Sequence, residues 1–271
     1  MPRLRLTIAY DGTQFAGWQL QAPGGGRSVQ GCLEEALGTL CGQPVRLHGA
    51  GRTDSGVHAM AQVAHLDVPE AKAGLPWQRA LNARLPPDVS IVAADLVADD
   101  FHARFSATGK VYRYTLWVER AYILPWRRAY VWNVGRFAPL DVAAMDACAG
   151  LFAGFHDFAA FCNAGSEPAS TSRLVHGVTR LASPSPLEMT WEFRAEGFLK
   201  QMVRNLMGAL VAVGRGKVSP EDIRSVLTMG QRRLAPPTAP ASGLCLVGVE
   251  YASDGRGHKR HLLHQPEAGQ G

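Results

Sequence analysis

The order in which apolar periodicities change along the chain limits its fold more than any other feature. Residues 4–10 alternate as a strand, and Ser28 then offers an N-cap to a helix with apolar positions at Val29, Cys32, Leu33, Ala36, Leu37 and Leu40. Between them QLQAPGGGR reads as a mobile loop. A short strand at 45–47 and a longer one at 60–68 follow. A helix at 75–85, stopped by Pro86-Pro87, and a strand at 89–96 come next. This β-α-β-β-α-β order is the split βαβ of ferredoxin-like units.

The second half repeats the order. A strand at 111–118 leads to a helix at 140–152, with Met145, Cys148, Leu151 and Phe152 on one face, and then to strands at 173–181 and 188–193. An apolar helix follows at 198–213, and Ser219-Pro220-Glu221-Asp222 opens a shorter one with residues suited to a helix N-terminus. A strand at 244–251 closes the unit. The expected architecture is α+β, with two ferredoxin-like α/β halves of mixed, mainly antiparallel sheets flanking a central cleft, where sites are common. The boundaries fall at residues 1–105, 106–252 and a disordered tail over 253–271.

A chain of 271 residues with 46% apolar content buries one large core or two modest ones. A net charge of +5 leans towards a polyanionic partner, although part of that excess sits in His258-Lys259-Arg260-His261. The five cysteines form no CxxC pair and read as reduced thiols of a cytosolic protein. The opening MPRLRLTIAYDG lacks a signal-type apolar core, and eighteen consecutive apolar residues occur nowhere.

The chemistry concentrates in Gly49 to His58, GAGRTDSGVH. Its glycines permit a tight path and close approach by a bulky ligand. Arg52 suits a phosphate or the face of a base, and an acid beside cations serves at neutral pH as nucleophile or base. The same residues also suit an ordinary turn in which Asp54 caps its own backbone. No second acid stands in a comparable context, so a pair of catalytic carboxylates is not evident. Basic residues alternate with aromatics in Phe101-His102-Ala103-Arg104-Phe105 and in Lys110-Val111-Tyr112-Arg113-Tyr114, as they do on surfaces that grip phosphates and stack bases. An amphipathic strand would show the same pattern. On the helix after Phe198, Leu199, Val203, Leu206 and Leu210 form a buried stripe and Arg204 falls on its shoulder.

The motifs GRTDSGVHA, YDGTQFAGWQLQ, SVQGCLEEAL, NARLP, DFHARFSA, KVYRY, FLKQMVRNLMG and APASGLCLVGVEY, taken together and in order, strongly resemble the bacterial tRNA pseudouridine synthase A (TruA) family, from about Arg3 to Tyr251. The resemblance implies the pseudouridine synthase fold and an isomerase that converts uridines 38 to 40 of the tRNA anticodon stem-loop to pseudouridine. It makes Asp54 the essential carboxylate. Arg52 would help flip or replace the target base, Tyr112 would stack on the uracil, Arg204 would pair with Asp54, and Leu244 would line the pocket floor. It also implies a cytoplasmic homodimer that spans one tRNA and uses neither cofactor nor metal. Arg27, Arg104, Lys110 and Arg113 are the expected phosphate contacts. The chain departs from the family pattern in the PGGG stretch before Arg27 and in Cys245, where an aromatic is common.

A non-catalytic tRNA-binding or RNA-folding module would need the basic and aromatic surface without Asp54. A metal-dependent nuclease would need clustered ligands, and His48, His58, His65, His102, His156 and His176 show no such spacing.

Overall fold

Side chains of the first helix decide where the second strand starts. In the computed structural model, helix α1 (Val29–Cys41) is capped by Ser28, whose hydroxyl accepts from the Gly31 N–H, and ends at Gly42 in the left-handed region. From α1, Glu34 Oε1 accepts the Leu47 N–H at 2.9 Å and Gln30 Nε2 donates to the Leu47 carbonyl at 3.1 Å. With those backbone groups occupied, residues 45–47 do not form the expected strand. Pairing begins one residue later, at β2 (His48–Gly49).

The structure describes residues 1–252 apart from Pro23, Ala164, Ser166 and Glu167. The expected tail at 253–271 lies outside the described residues. The chain forms two compact units, Met1–Thr108 with the chain from Leu246 onward, and Gly109–Cys245.

In the first unit, β1 (Arg3–Tyr10) lies between two antiparallel neighbours, β3 (His58–Asp67) and β4 (Val89–Val97). Strand β2 pairs with β3, His48 opposite His65 and Gly49 opposite Ala64. Eight of the ten β3 residues are buried, a central position for a strand with apolar residues on both faces. Helix α2 is only Trp77–Asn82, shorter than the sequence predicts: Pro76 occupies its N-cap position, and its C-cap at Ala83 comes before Pro86 is reached. The last strand of the chain, β10 (Leu244–Tyr251), continues this sheet beyond β3. The Tyr251 hydroxyl donates to the Ala103 carbonyl at 2.7 Å, and its ring packs on Phe101. Those contacts group most of β10 with the first unit, although the sequence order places it at the close of the second half.

The second unit orders its strands as β5 (Ala107–Trp117), β9 (Glu188–Ala195), β8 (Ser172–Arg180) and β7 (Gly154–Asp157), all antiparallel, with β6 (Trp132–Asn133) parallel to β5. Strands β6 and β7 are too short for alternation to reveal them. Helix α3 (Val142–Gly150) takes Asp141 as its N-cap, and α5 (Pro220–Met229) starts at the expected Ser219, which forms a capping box with Asp222. Helix α4 (Met202–Gly214) starts four residues later than expected, because Gln201 sits at φ 60° and interrupts the helical run from Phe198. Eleven of its residues are buried, including Val203, Leu206 and Leu210 of the predicted stripe. The architecture is α+β and mainly antiparallel.

Within the first unit His65 is buried and its Nδ1 accepts the Ala103 N–H at 3.1 Å. Burial first, then the neighbouring His102, His48 and Arg3, pushes its pKa down to about 4. Below the ordinary imidazole value of about 6.5 the unfolded chain takes up a proton that the folded chain refuses. Stability from this group is therefore full above that value and declines as pH falls towards about 4, by roughly 1–3 kcal/mol. Chemical denaturation across this window should show a smaller acid-dependent loss in His65→Gln than in the parent protein. Equal losses would contradict the assignment.

Candidate active site

The loop from Ala50 to Val57 leaves β2 and returns into β3, and its path is fixed by contacts on both sides of Asp54. The Thr53 hydroxyl shares a 2.8 Å hydrogen bond with the Tyr10 hydroxyl, and the Thr53 carbonyl accepts from the Trp18 N–H at 3.1 Å. The Ser55 hydroxyl donates to the Phe15 carbonyl at 3.0 Å. Upstream, buried Gln62 donates to the Gly51 carbonyl at 3.0 Å, and the Ala50 N–H donates to the Val63 carbonyl at 2.7 Å. A turn closes the loop where the Val57 N–H donates to the Asp54 carbonyl, with Gly56 at φ 77°. Asp54 is half-buried between a buried Thr53 and an exposed Ser55, and Arg52 is exposed.

The partner segment, Tyr10 to Trp18, approaches so closely that side chains are excluded. A Cβ on Gly12 would stand 2.1 Å from the Val57 carbonyl oxygen. At Gly17, φ is +112° and a Cβ would stand 2.7 Å from the Thr53 carbonyl oxygen. The Trp18 indole lies flush against Gly49, where a Cβ would come within 2.8 Å of the ring. The Gly12 N–H donates to His58 Nδ1 at 3.0 Å, which makes that nitrogen an acceptor. The same nitrogen approaches Asp11 Oδ1 at 3.2 Å.

In the second unit, Tyr112 is buried on β5 with its ring edge-on to Phe198 at 5.3 Å. Arg204 is half-buried near the start of α4, where its Nε donates to the Ala239 carbonyl at 2.8 Å and its own carbonyl accepts the Ala239 N–H at 3.1 Å. The segment carrying Ala239 is itself held fast. Arg232 donates to Asn163, Asn205 and Thr238 and to the Ala235 and Pro236 carbonyls, while Tyr114 donates to the Pro240 carbonyl at 2.7 Å. Leu244 is buried at the start of β10. The structure thus places Arg52 and Asp54 together on one loop, and Tyr112, Arg204 and Leu244 in the other unit.

A family model described as tRNA pseudouridine synthase matches residues 6–106 and 148–252. A tRNA pseudouridine synthase A of Solidesulfovibrio magneticus is 70% identical over 94% of this chain and 93% of its own. The chain belongs to the tRNA pseudouridine synthase A family. Members of that name in Maridesulfovibrio salexigens and Oleidesulfovibrio alaskensis are 53% and 50% identical, over 95% and 94% of this chain and 93% and 98% of theirs. Among solved structures, a chain of a Cbf5-Nop10-Gar1 complex matches 77% of this chain and 44% of its own length at 11% identity, with a TM-score of 0.34, too loose to add to the assignment. The protein is an isomerase, a tRNA pseudouridine synthase.

For a tRNA-modifying isomerase the predicted phosphate contacts are unevenly placed. Arg27 donates two hydrogen bonds to Asp88 at 2.6 and 2.8 Å and lies 4.3 Å over the Phe15 ring, and its hydrogen bonding to Asp88 raises its pKa. Arg113 donates to Glu192 at 3.0 Å. Arg104 is exposed, 5.6 Å over the Phe105 ring, and Lys110 is half-buried. Among the described residues no group of three or more His, Cys, Asp or Glu side chains is arranged to hold a metal ion.

Sequence reasoning singles out Asp54 and Arg52 but not the residues that hold their loop. Tyr10, Gly12, Gly17, Trp18 and Gln62 carry no reactive group. One signal does exist. Gln62 is a polar residue on a strand face otherwise made of Met60, Ala64 and Leu66, and a buried amide requires partners.

Two glycines with positive φ separate the effects of strain and collision. Gly42→Ala, at φ +74° with no neighbour within 4 Å, should cost about 1 kcal/mol of stability and leave turnover intact. Gly17→Ala adds a collision with the Thr53 carbonyl and should displace the loop, lowering kcat by about 100-fold in protein that remains folded. Thermal unfolding alongside steady-state conversion checks both, and equal turnover in the two variants would show that the loop does not depend on this approach.

Proposed function

We propose that this chain converts uridines 38 to 40 of the tRNA anticodon stem-loop to pseudouridine, with Asp54 as the essential carboxylate. The observation that carries the proposal is the placement of Asp54, the one acid on the 49–58 loop, half-buried between two residues whose backbone or hydroxyl groups are tied down. In the reaction the N1–C1′ bond breaks, the uracil turns, C5 joins C1′, and the hydrogen lost from C5 is balanced by one gained at N1. Nothing is oxidised or reduced, so no redox cofactor is required. Breaking the glycosidic bond leaves negative charge on the base and cationic character at C1′, and a fixed carboxylate stabilises the latter without reorganising.

The uridine must first leave its stack, at a cost of a few kcal/mol. Arg52, exposed two residues before Asp54, is assigned to fill the vacated space. Tyr112 is assigned the stacking face, Arg204 the counter-charge of the carboxylate and Leu244 the apolar floor, roles that rest on the family resemblance. The same resemblance supports a cytoplasmic homodimer that grips one tRNA. No helix among the described residues is long and apolar enough to cross a membrane.

Asp54→Asn preserves the volume of the side chain and removes its charge. It should bind tRNA as the parent protein does and lose conversion by about 1000-fold or more, measured under single turnover by release of the C5 hydrogen from tRNA labelled with tritium at uridine C5. Retained turnover would contradict the role of Asp54. Complete conversion of a tenfold excess of tRNA by the parent protein would separate a catalyst from a binding module.

A further inference from the structure

Away from Asp54, the first unit carries a row of four aromatic rings that ends in solvent. His48 stacks on His65 at 5.2 Å and 26°, His65 meets His102 at 4.6 Å, and His102 lies over Phe105 at 4.3 Å and 31°. Phe105 is 77% exposed. Its turn is nevertheless fixed. His102 Nδ1 accepts the Arg104 and Phe105 N–H groups at 3.1 and 3.2 Å, and the His102 N–H donates to the Ser106 hydroxyl at 2.9 Å while the Ser106 N–H donates to the His102 carbonyl. An aromatic side chain held rigidly in water is a surface prepared for a partner.

The ring row borders a groove of about 460 Å³ lined by Arg3, Arg46, His48, His65, Asp67 and His102, a volume within the range of small-ligand sites. Arg3 and Asp67 neutralise each other through two hydrogen bonds of 2.8 and 3.0 Å. Arg46 is mostly exposed and reaches Glu34 only at 3.7 Å, and Arg104 sits over the outer ring. The remaining cations therefore flank an apolar stacking face. Burial lowers the pKa of both His65 and His102, so these rings stack as neutral imidazoles at physiological pH. Flat neutral rings beside guanidinium groups are the combination that holds single-stranded nucleotides, with base on ring and phosphate on cation.

The row is too far along the sheet to serve the reacting uridine. Tyr10, the partner of Thr53, pairs with Ala59 at one end of β3, and His65 lies six residues further on, roughly 20 Å at the usual strand rise. We propose that Phe105, backed by the His102, His65 and His48 rings, is a platform on which an unpaired nucleotide of the tRNA stacks, separate from the uridine that is isomerised, with Arg46 and Arg104 on its phosphates. The proposal rests on tRNA being the substrate. It adds a second point of contact that fixes the tRNA on the first unit.

The test is tRNA binding by the full chain, read by fluorescence titration of labelled transcript, with the assembly state followed by sedimentation velocity. Binding is measured without turnover, so a protein that failed to convert uridine would still report on the platform. Phe105→Leu keeps an apolar side chain at an exposed position and should weaken binding about 10-fold without changing its salt dependence, whereas Phe105→Trp should bind as the parent does. Arg46→Gln should reduce the slope of log affinity against log salt by roughly one. Affinity of Phe105→Leu within about twofold of the parent would overturn the proposal, as would a Trp variant as weak as Leu. A variant that falls apart as an oligomer while keeping its affinity per subunit would assign this face to protein contact and overturn it as well.

Discussion

Thr53 is the residue through which the sheet controls the acid. Its hydroxyl is bonded to Tyr10, the last residue of β1, and its carbonyl to Trp18, which leads into α1 through a hydrogen bond from the Gln30 N–H. One residue therefore joins the end of a central strand, the start of a helix and the backbone immediately before Asp54. A loop of eight residues between paired strands would otherwise sample many conformations, and ordering it opposes roughly 1–2 kcal/mol of backbone entropy per residue. The contacts from Tyr10, Phe15, Trp18 and Gln62 offset that cost before any substrate arrives. The result is that the backbone carrying Asp54 has a position set by the fold.

The glycines serve the same end from the opposite side. Gly12, Gly17 and Gly49 lie where another backbone or an indole ring occupies the space of a Cβ, so the Tyr10–Trp18 segment and the Asp54 loop meet main chain to main chain. The second unit uses a comparable device. Gly208 on α4 admits the Pro237 carbonyl, whose oxygen would stand 2.0 Å from a Cβ, and the docked segment carries Ala239 onto Arg204. Arg232 makes that docking possible by satisfying Asn163, Asn205 and Thr238 beneath it. Burial lowers the pKa of Arg232, the expected sign for a guanidinium committed to neutral acceptors.

Much of this was legible in the residues. The long strands, the Ser28 and Ser219 caps and the buried stripe of α4 follow from periodicity and capping chemistry, which act locally. The strand at 45–47 failed because Gln30 and Glu34, far away in sequence, took its hydrogen bonds. The helix after Phe198 started late because one residue, Gln201, adopted a left-handed conformation that no propensity indicates. At the site, Asp54 and Arg52 stood out because charged residues among glycines are unusual. The clamp did not, since hydroxyls and carbonyls declare their partners only once the chain is folded. Arg27 shows the converse, a cation whose exposed appearance in sequence hides its pairing with Asp88.

The dependence of the acid on its clamp is measured most directly by a double-mutant cycle on the Tyr10–Thr53 hydrogen bond, using Tyr10→Phe, Thr53→Val and the pair, with the single-turnover rate of uridine isomerisation as the readout. If this bond fixes the loop, each single change slows the reaction and the double variant is little slower than the slower single, giving a coupling of about 1 kcal/mol. Strictly additive effects, or singles that react as fast as the parent protein, would contradict the account.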